Sequence, residues 1–439
     1  MRRVASAPSF SIVPPERKAI WEGEIHVVTP MFGGSATAGQ VDPGRPVNAK
    51  MVRGHLRFWW RACRAAQFES AKDLFDAEAA LWGSTETPSA LDLVLEVRSS
   101  GNSRACARYE KRPDGTYKSL PAFASGYPPY ALFPFQGKAE RTTIQIQPAE
   151  ALEGVRFSLR ILPSQSIRSD ALDGVADGVL AALWAWLLFG GVGARTRRGC
   201  GSLYTNGWPF EGLQANALEA ISKLKSEFLH SGARSLPIPA LCGAGLLVGT
   251  QLQGHLDAWS AAVNTMRDFR QSVGFARNRG QQHNRPGRSR WPEADSIREY
   301  AHVAAPGHRP SHPARPFFPR ADLGMPIVFH FQSREDPSDY IVGPKEDGKQ
   351  RMASPIILKP LAVSVKAAYP IALLLNAPHV WDREAPKPYA NNKPLGHSEL
   401  ADGSKVAKVP PLTDMGNKNA RDAFMAFFKQ KTNAKEVKL

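Results

Sequence analysis

No two cysteines in this 439-residue chain are spaced C-x-x-C. The four present, Cys63, Cys106, Cys200 and Cys242, stand far apart. That pattern excludes a zinc ribbon or a disulfide framework and leaves them as small buried hydrophobes. No apolar run reaches the ~20 residues a membrane-spanning helix needs, and the longest, over 179–189, is about half that. After Met1-Arg2-Arg3 come serines, prolines and charges instead of the apolar core of a secretory signal. The expectation is a cytoplasmic protein with no membrane partner.

Carboxylates are also scarce relative to cations. Asp and Glu number 40 against 56 Lys and Arg, a formal charge of +16, which favours polyanions as partners. Hydrophobic residues at 43% and charged residues at 22% are ordinary for a globular chain, so bulk disorder is not expected. The length exceeds what one hydrophobic core usually serves, so two domains are expected.

Residues 1–19 are Pro/Ser-rich and basic and read as a loose arm. Alternating Ile25, Val27 and Thr29 predict a strand over 21–29, followed by a Gly/Pro loop over 30–46. A helix over 48–68 with Asn48 as its N-cap comes next. Strands over 91–98 and 155–162, a helix over 170–189 and a short strand over 202–204 follow. Strand, helix, strand, strand, helix, strand is the order of a ferredoxin-like domain, the architecture of RNA-recognition modules. After about residue 212 the pattern resets: helices over 217–229 and 255–271, strands over 241–252, 326–331 and 362–375, and a long polar stretch over 272–319. The expected class is therefore α+β with two ferredoxin-like, RRM-like domains carrying long insertions. The first would cover 1–210, and a divergent second, with an Arg/Pro-rich insertion and a basic tail, 211–439.

Three arginine-rich stretches carry the functional signal. On a helical wheel Lys50, Arg53, Arg57, Arg61 and Arg64 fall within an arc of roughly 80°. Val52, Leu56, Trp59, Cys63 and Ala66 form a separate packing face. No acidic residue lies between Pro43 and Phe68 to pair with the stripe. The second stretch, Gly190 to Gly201, holds five glycines (Gly190, Gly191, Gly193, Gly199, Gly201) and three arginines (Arg195, Arg197, Arg198). Glycines allow close backbone approach to an anion, and arginines supply planar forks to phosphate oxygens. This loop follows a helix and opens a strand, the reverse of a dinucleotide fingerprint, and it lacks the Walker ending. The third, 270–290, has six arginines and no acid, with Arg277, Arg279, Arg288 and Arg290 as candidate phosphate contacts. It is expected to be a mobile loop that orders on a polyanion.

Histidines offer little. His308 and His312 have the i,i+4 spacing of metal ligands, but neighbouring prolines forbid the helix this requires, and His302 shares that loop. His26 and His55 have no evident carboxylate partner. No metal, cofactor or catalytic residue is expected.

Taken together these residues resemble the RAMP superfamily of CRISPR-associated proteins, and most closely the first-subunit family of the type III-B (Cmr) RNA-guided effector. The matching stretches are Thr29-Pro30-Met31-Phe32-Gly33-Gly34, Val52-Arg53-Gly54-His55-Leu56-Arg57-Phe58-Trp59-Trp60-Arg61, the loop Gly190 to Gly201, Trp291-Pro292-Glu293, Phe318-Pro319-Arg320 and Ala353-Ser354-Pro355-Ile356-Ile357. The resemblance implies a non-catalytic subunit at the head of the complex, toward the 3′ end of the guide RNA (crRNA). Its implied partners are guide and target RNA, the neighbouring head subunit and the backbone subunit. The other expectation kept open is a RAMP endoribonuclease that processes repeat RNA with a histidine as general acid/base.

Overall fold

The computed structural model describes residues 17–439 apart from 36, 38, 39, 122–125, 166–171, 231–235, 281–285, 332, 345–350, 384 and 386. Most of the expected arm, 1–16, lies outside the described residues, as do the first residues of the helix expected over 170–189. The first unit runs β1 (Trp21–Val27), α1 (Ala49–Arg64), α2 (Ala71–Trp82), β2 (Leu91–Ser99), β3 (Arg156–Pro163), α3 (Leu172–Phe189) and β4 (Leu203–Thr205). Its sheet has the order β4-β1-β3-β2, antiparallel throughout, with Ile25 opposite Phe157 and Thr205. That is the ferredoxin-like order, with α2 and a set of small hairpins inserted.

Local chemistry explains the two main helices. The Asn48 side chain accepts a hydrogen bond from the Met51 N–H at 2.9 Å and starts α1. The expected packing face, Val52, Leu56, Trp59, Cys63 and Ala66, is buried and lies along α3. By length and composition α3 is apolar enough to cross a membrane. Here every residue from Gly178 to Phe189 except Leu180 is buried, against α1 on one side and the second unit on the other.

The second unit repeats the plan after a connecting helix, α4 (Leu213–Phe228). It comprises β5 (Ala240–Val248), α5 (His255–Gln271), α6 (Glu293–Ala301), β6 (Ile356–Ala362), β7 (Ala367–Asn376), α7 (Ala420–Thr432) and β8 (Lys435–Lys438). Its main strands are ordered β8-β5-β7-β6, again antiparallel. Three expectations are corrected. The single strand over 362–375 is the hairpin β6/β7, which reverses where Val363 N–H donates to Ala367 O. The basic tail supplies α7 and the edge strand β8, because Ala420, Ala423, Phe424, Phe427 and Phe428 recur at helical spacing and bury against α5. The polar stretch over 272–319 is no free loop. It holds the hairpin Arg277–Arg279/Pro286–Ser289 and α6, fixed by buried ion pairs from Arg298 to Asp336 (2.8 Å) and from Arg320 to Glu293 (2.9 Å).

One hydrophobic cluster runs through both units, joining Ile25, Leu56, Trp59 and Trp184 to Leu241, Leu246, Ile371 and Leu373. The fully buried Lys359 of β6 reinforces this joint. Its ammonium donates to Leu188 O at 2.9 Å and Gly190 O at 2.8 Å, the carbonyls where α3 ends. Burial pulls its pKa down to about 7.

Candidate nucleic-acid interface

The basic stripe of α1 finds its partners in other elements. Arg57 and Arg61 both donate to Glu78 Oε1 at 2.5 Å, and Glu78, on α2, is only 2% exposed. Arg53 donates to Trp82 O (2.8 Å) and Leu91 O (3.2 Å), and Arg57 also to Gly83 O (3.1 Å). Arg64 reaches Asp177 on α3 and Phe228 O on α4. The expectation that this stripe lacks acidic partners is therefore corrected: the i,i+4 rule surveys one helix, and the carboxylates come from α2 and α3. Of the five cations Lys50 alone is classed as exposed.

The glycine-rich loop is the seam between the units. Its glycines answer close approaches of the chain's own backbone. Gly193 (φ +80°) leaves only 2.3 Å between an added Cβ and Phe32 O. At Gly199 (φ +78°) such a carbon would meet the Trp259 ring at 2.5 Å. The expectation that these glycines are bare for a ligand is corrected accordingly. Gly190 and Gly191 are likewise crowded by Trp186, Trp59 and Gly201. Thr29 Oγ1 and Ser202 Oγ donate to Gly199 O, and Trp259 Nε1 donates to Arg198 O at 2.6 Å.

The three loop arginines differ from the stripe in having no carboxylate among their described ion pairs. Arg197 donates to Ser354 O and lies 5.5 Å over the Phe58 ring. Arg198 donates to Ile356 O at 2.8 Å. Arg195 sits in the left-handed region (φ 57°), with a buried Nε that has no hydrogen-bond partner. Burial lowers the pKa of Arg195 and Arg197. That of Arg198 falls to about 10, through burial first and then the positive fields of Arg195, Arg270 and Arg197. Arg270, on the last turn of α5, thus joins the cluster. The sequence reading counted it with the third stretch, because its neighbours in space come from a loop some seventy positions away.

The third stretch divides. Arg277 and Arg279 are exposed on the hairpin, whereas Arg288 is bound to Asp295 (2.9 Å) and Arg290 to Gly274 O (2.8 Å) and Asp414 (3.0 Å). Arg285 lies outside the described residues. The outer face of the first sheet offers no stacking platform of the RRM kind. Glu22 pairs with Arg160 (3.0 Å) and Glu24 with Arg156 (3.2 Å), and Tyr204 is buried against Phe210.

The two candidate histidines sit in different surroundings. His55 is stacked on Trp186 and burial holds its pKa near 4, so it is the neutral imidazole at neutral pH. His26 has Glu24 at 3.4 Å, a partner the sequence reading missed, and its pKa is lowered by burial. His308 pairs with Asp336 (2.6 Å) and His312 with Arg290 O (3.1 Å). Among the described residues no three His, Cys, Asp or Glu side chains are grouped to hold a metal.

Two units with ferredoxin-like strand order, meeting at a glycine- and arginine-rich loop, define the class: an α+β protein of the RRM-like kind. Within the first unit, residues 24–204 match the model of the RAMP superfamily. No curated protein matches the chain. Among solved structures it is similar to apo Cmr1 from Pyrococcus furiosus, at 14% identity over 94% of this chain and 97% of that one, TM-score 0.46. It is also similar to a chain of the type III-B Cmr-beta complex bound to cognate target RNA and AMPPnP in the presence of single-stranded DNA, at 13% identity, 95% and 99% coverage and TM-score 0.47.

Proposed function

We propose that the chain is a non-catalytic, RNA-binding subunit of a type III-B CRISPR effector, seated at the head near the 3′ end of the guide RNA. It contacts guide or target RNA through the phosphate backbone. The observation that carries this reading is the cluster Arg195, Arg197, Arg198 and Arg270: guanidinium groups gathered at the seam, with no carboxylate paired to the first three and one nitrogen of Arg195 unsatisfied. Gathering like charges in a partly dry site is costly unless an anion completes it. Arg277, Arg279 and Lys50 are further exposed cations.

The RAMP region supports the superfamily, and the Arg-Gly-His-Leu-Arg-Phe-Trp-Trp-Arg run of α1 carries the narrower assignment to the first-subunit family. The partners are then RNA, the adjacent head subunit and the backbone subunit, in the cytoplasm and away from membranes, with domains dividing near residue 210. Filter binding of the full chain to single-stranded RNA over a salt series tests this. The expected result is a linear fall of log K with log salt, nearly the same for unrelated sequences. Discrete metal-free cleavage of repeat RNA by the same preparation would sink the non-catalytic reading.

A further inference from the structure

Far along the chain from the loop arginines, a cavity of about 160 Å³ opens in the second unit. Phe317, Leu400, Leu412 and Ala420 give it an apolar floor, and Trp381 forms one wall. It is well below the ~300–1,000 Å³ of pockets that take drug-sized ligands, so it has room for about one flat ring.

The wall is held firmly. His379 stacks on Trp381 at 4.4 Å and 8°, and its Nδ1 is 2.8 Å from Asp322 Oδ2. Asp322, fully buried, also accepts from Val380 N–H (3.0 Å) and pairs with Arg421 (2.7 Å). Arg421 is anchored in turn on Ala377 O and Pro378 O. The chain thus fixes a buried carboxylate, an arginine and an imidazole around one indole that lines the cavity.

Charge at the rim selects the occupant. Exposed Lys418 stands between Asn417 and Asn419, which line the cavity, and exposed Lys408 lies two residues beyond Val406, another lining residue. Each acid nearby already has a donor: Asp402 accepts from Ser404 N–H, Asp422 from the Asn419 amide, Asp382 from His379 N–H, Glu399 from Gly396 N–H, and Asp414 pairs with Arg290. An apolar slot with an aromatic wall and a lysine rim is how single-stranded nucleic acid is held, a base stacked inside and its phosphates met outside. We infer that this cavity takes one unstacked base of single-stranded RNA, against Trp381. The inference rests on the RNA-binding reading above and adds to it a second contact, one made to a base.

Photo-crosslinking of the full chain to single-stranded RNA containing 4-thiouridine, with the linked peptides identified by mass spectrometry, tests it. Links are expected at Trp381 or within 400–420 as well as near the loop arginines. Trp381→Ala should weaken binding about tenfold and Trp381→Phe much less, and the Trp381→Ala effect should vanish on an abasic ribose-phosphate strand. Ala401→Phe, which fills the slot and leaves the wall in place, should reproduce the loss if Trp381→Ala fails to fold. Links near Arg195–Arg198 with none at the cavity, and unchanged affinity in Ala401→Phe, would overturn the inference while leaving RNA binding intact, and would assign the slot to an apolar side chain of a protein partner. No link anywhere would overturn both readings.

Discussion

Two sets of arginines, one along α1 and one in the loop after α3, look alike as sequence: cations in a row with no acid nearby. In the fold they do opposite work. Arg57 and Arg61 share a buried carboxylate, Glu78, and with Arg53 they close the gap between α1, α2 and β2. Among the described residues, Arg197 and Arg198 bond carbonyls, Arg197 also lies over the Phe58 ring, and the Arg195 Nε has no partner. The difference teaches that a run of cations is a ligand site only to the extent that folding fails to bring it carboxylates.

The sharpest way to break the comparison is to remove the stripe. Replacing Arg53, Arg57 and Arg61 by Ala leaves Glu78 buried without these partners and removes three hydrogen bonds to carbonyls. A loss of about 3–5 kcal/mol in denaturant unfolding is expected, with the salt dependence of RNA binding little changed in whatever fraction stays folded. A variant as stable as the parent would show that the stripe does not hold the unit together.

Lys359 offers a cation with no acid at all, and its signature is in pH. Its folded pKa is lowered to about 7 from 10.5, so between those values the unfolded chain holds a proton that the folded chain has released. Stability should therefore rise with pH across that window, and the rise should be smaller in Lys359→Met. Identical urea midpoints against pH for the two proteins would remove Lys359 from the account.

The loop arginines should respond in the reverse way to the stripe. Arg195, Arg197 and Arg198 replaced together by Ala lose three hydrogen bonds to carbonyls, worth ~1 kcal/mol each. The slope of log K against log salt should flatten by up to ~2 units, alike for every sequence. A steep, unaltered slope would place the RNA elsewhere. Smallest is the hairpin: Arg277→Ala with Arg279→Ala should flatten the slope by about 1 unit, and a thermal melt should not register the change.

Much of this was legible in the chain. Asn48 announced its helix because capping is a local matter, and α5 was read at its true bounds from apolar spacing alone. Val52, Leu56 and Trp59 were read as core for the same reason. What escaped was non-local. Nothing in α1 points to Glu78, and nothing in the loop points to Trp259 or Lys359, which decide what its glycines are for. Charge also misled: the lysines after residue 386 hid the Ala423, Phe424, Phe427 and Phe428 pattern of α7, although its period was there to be counted.

The order of strands in the second sheet bears on how the protein is made. The first sheet has all its strands once Thr205 has left the ribosome, since β4 is the last of them. The opening strand of the second, β5, has as neighbours β7 and β8, and β8 arrives only with residues 435–438. Through most of the second half of synthesis, Leu241, Leu246 and the bare flank of the finished first unit wait together for cover. Ribosome-bound chains halted near residue 330 should accordingly show a protease-resistant first unit attached to a degradable remainder, the state in which a newborn chain depends most on chaperones.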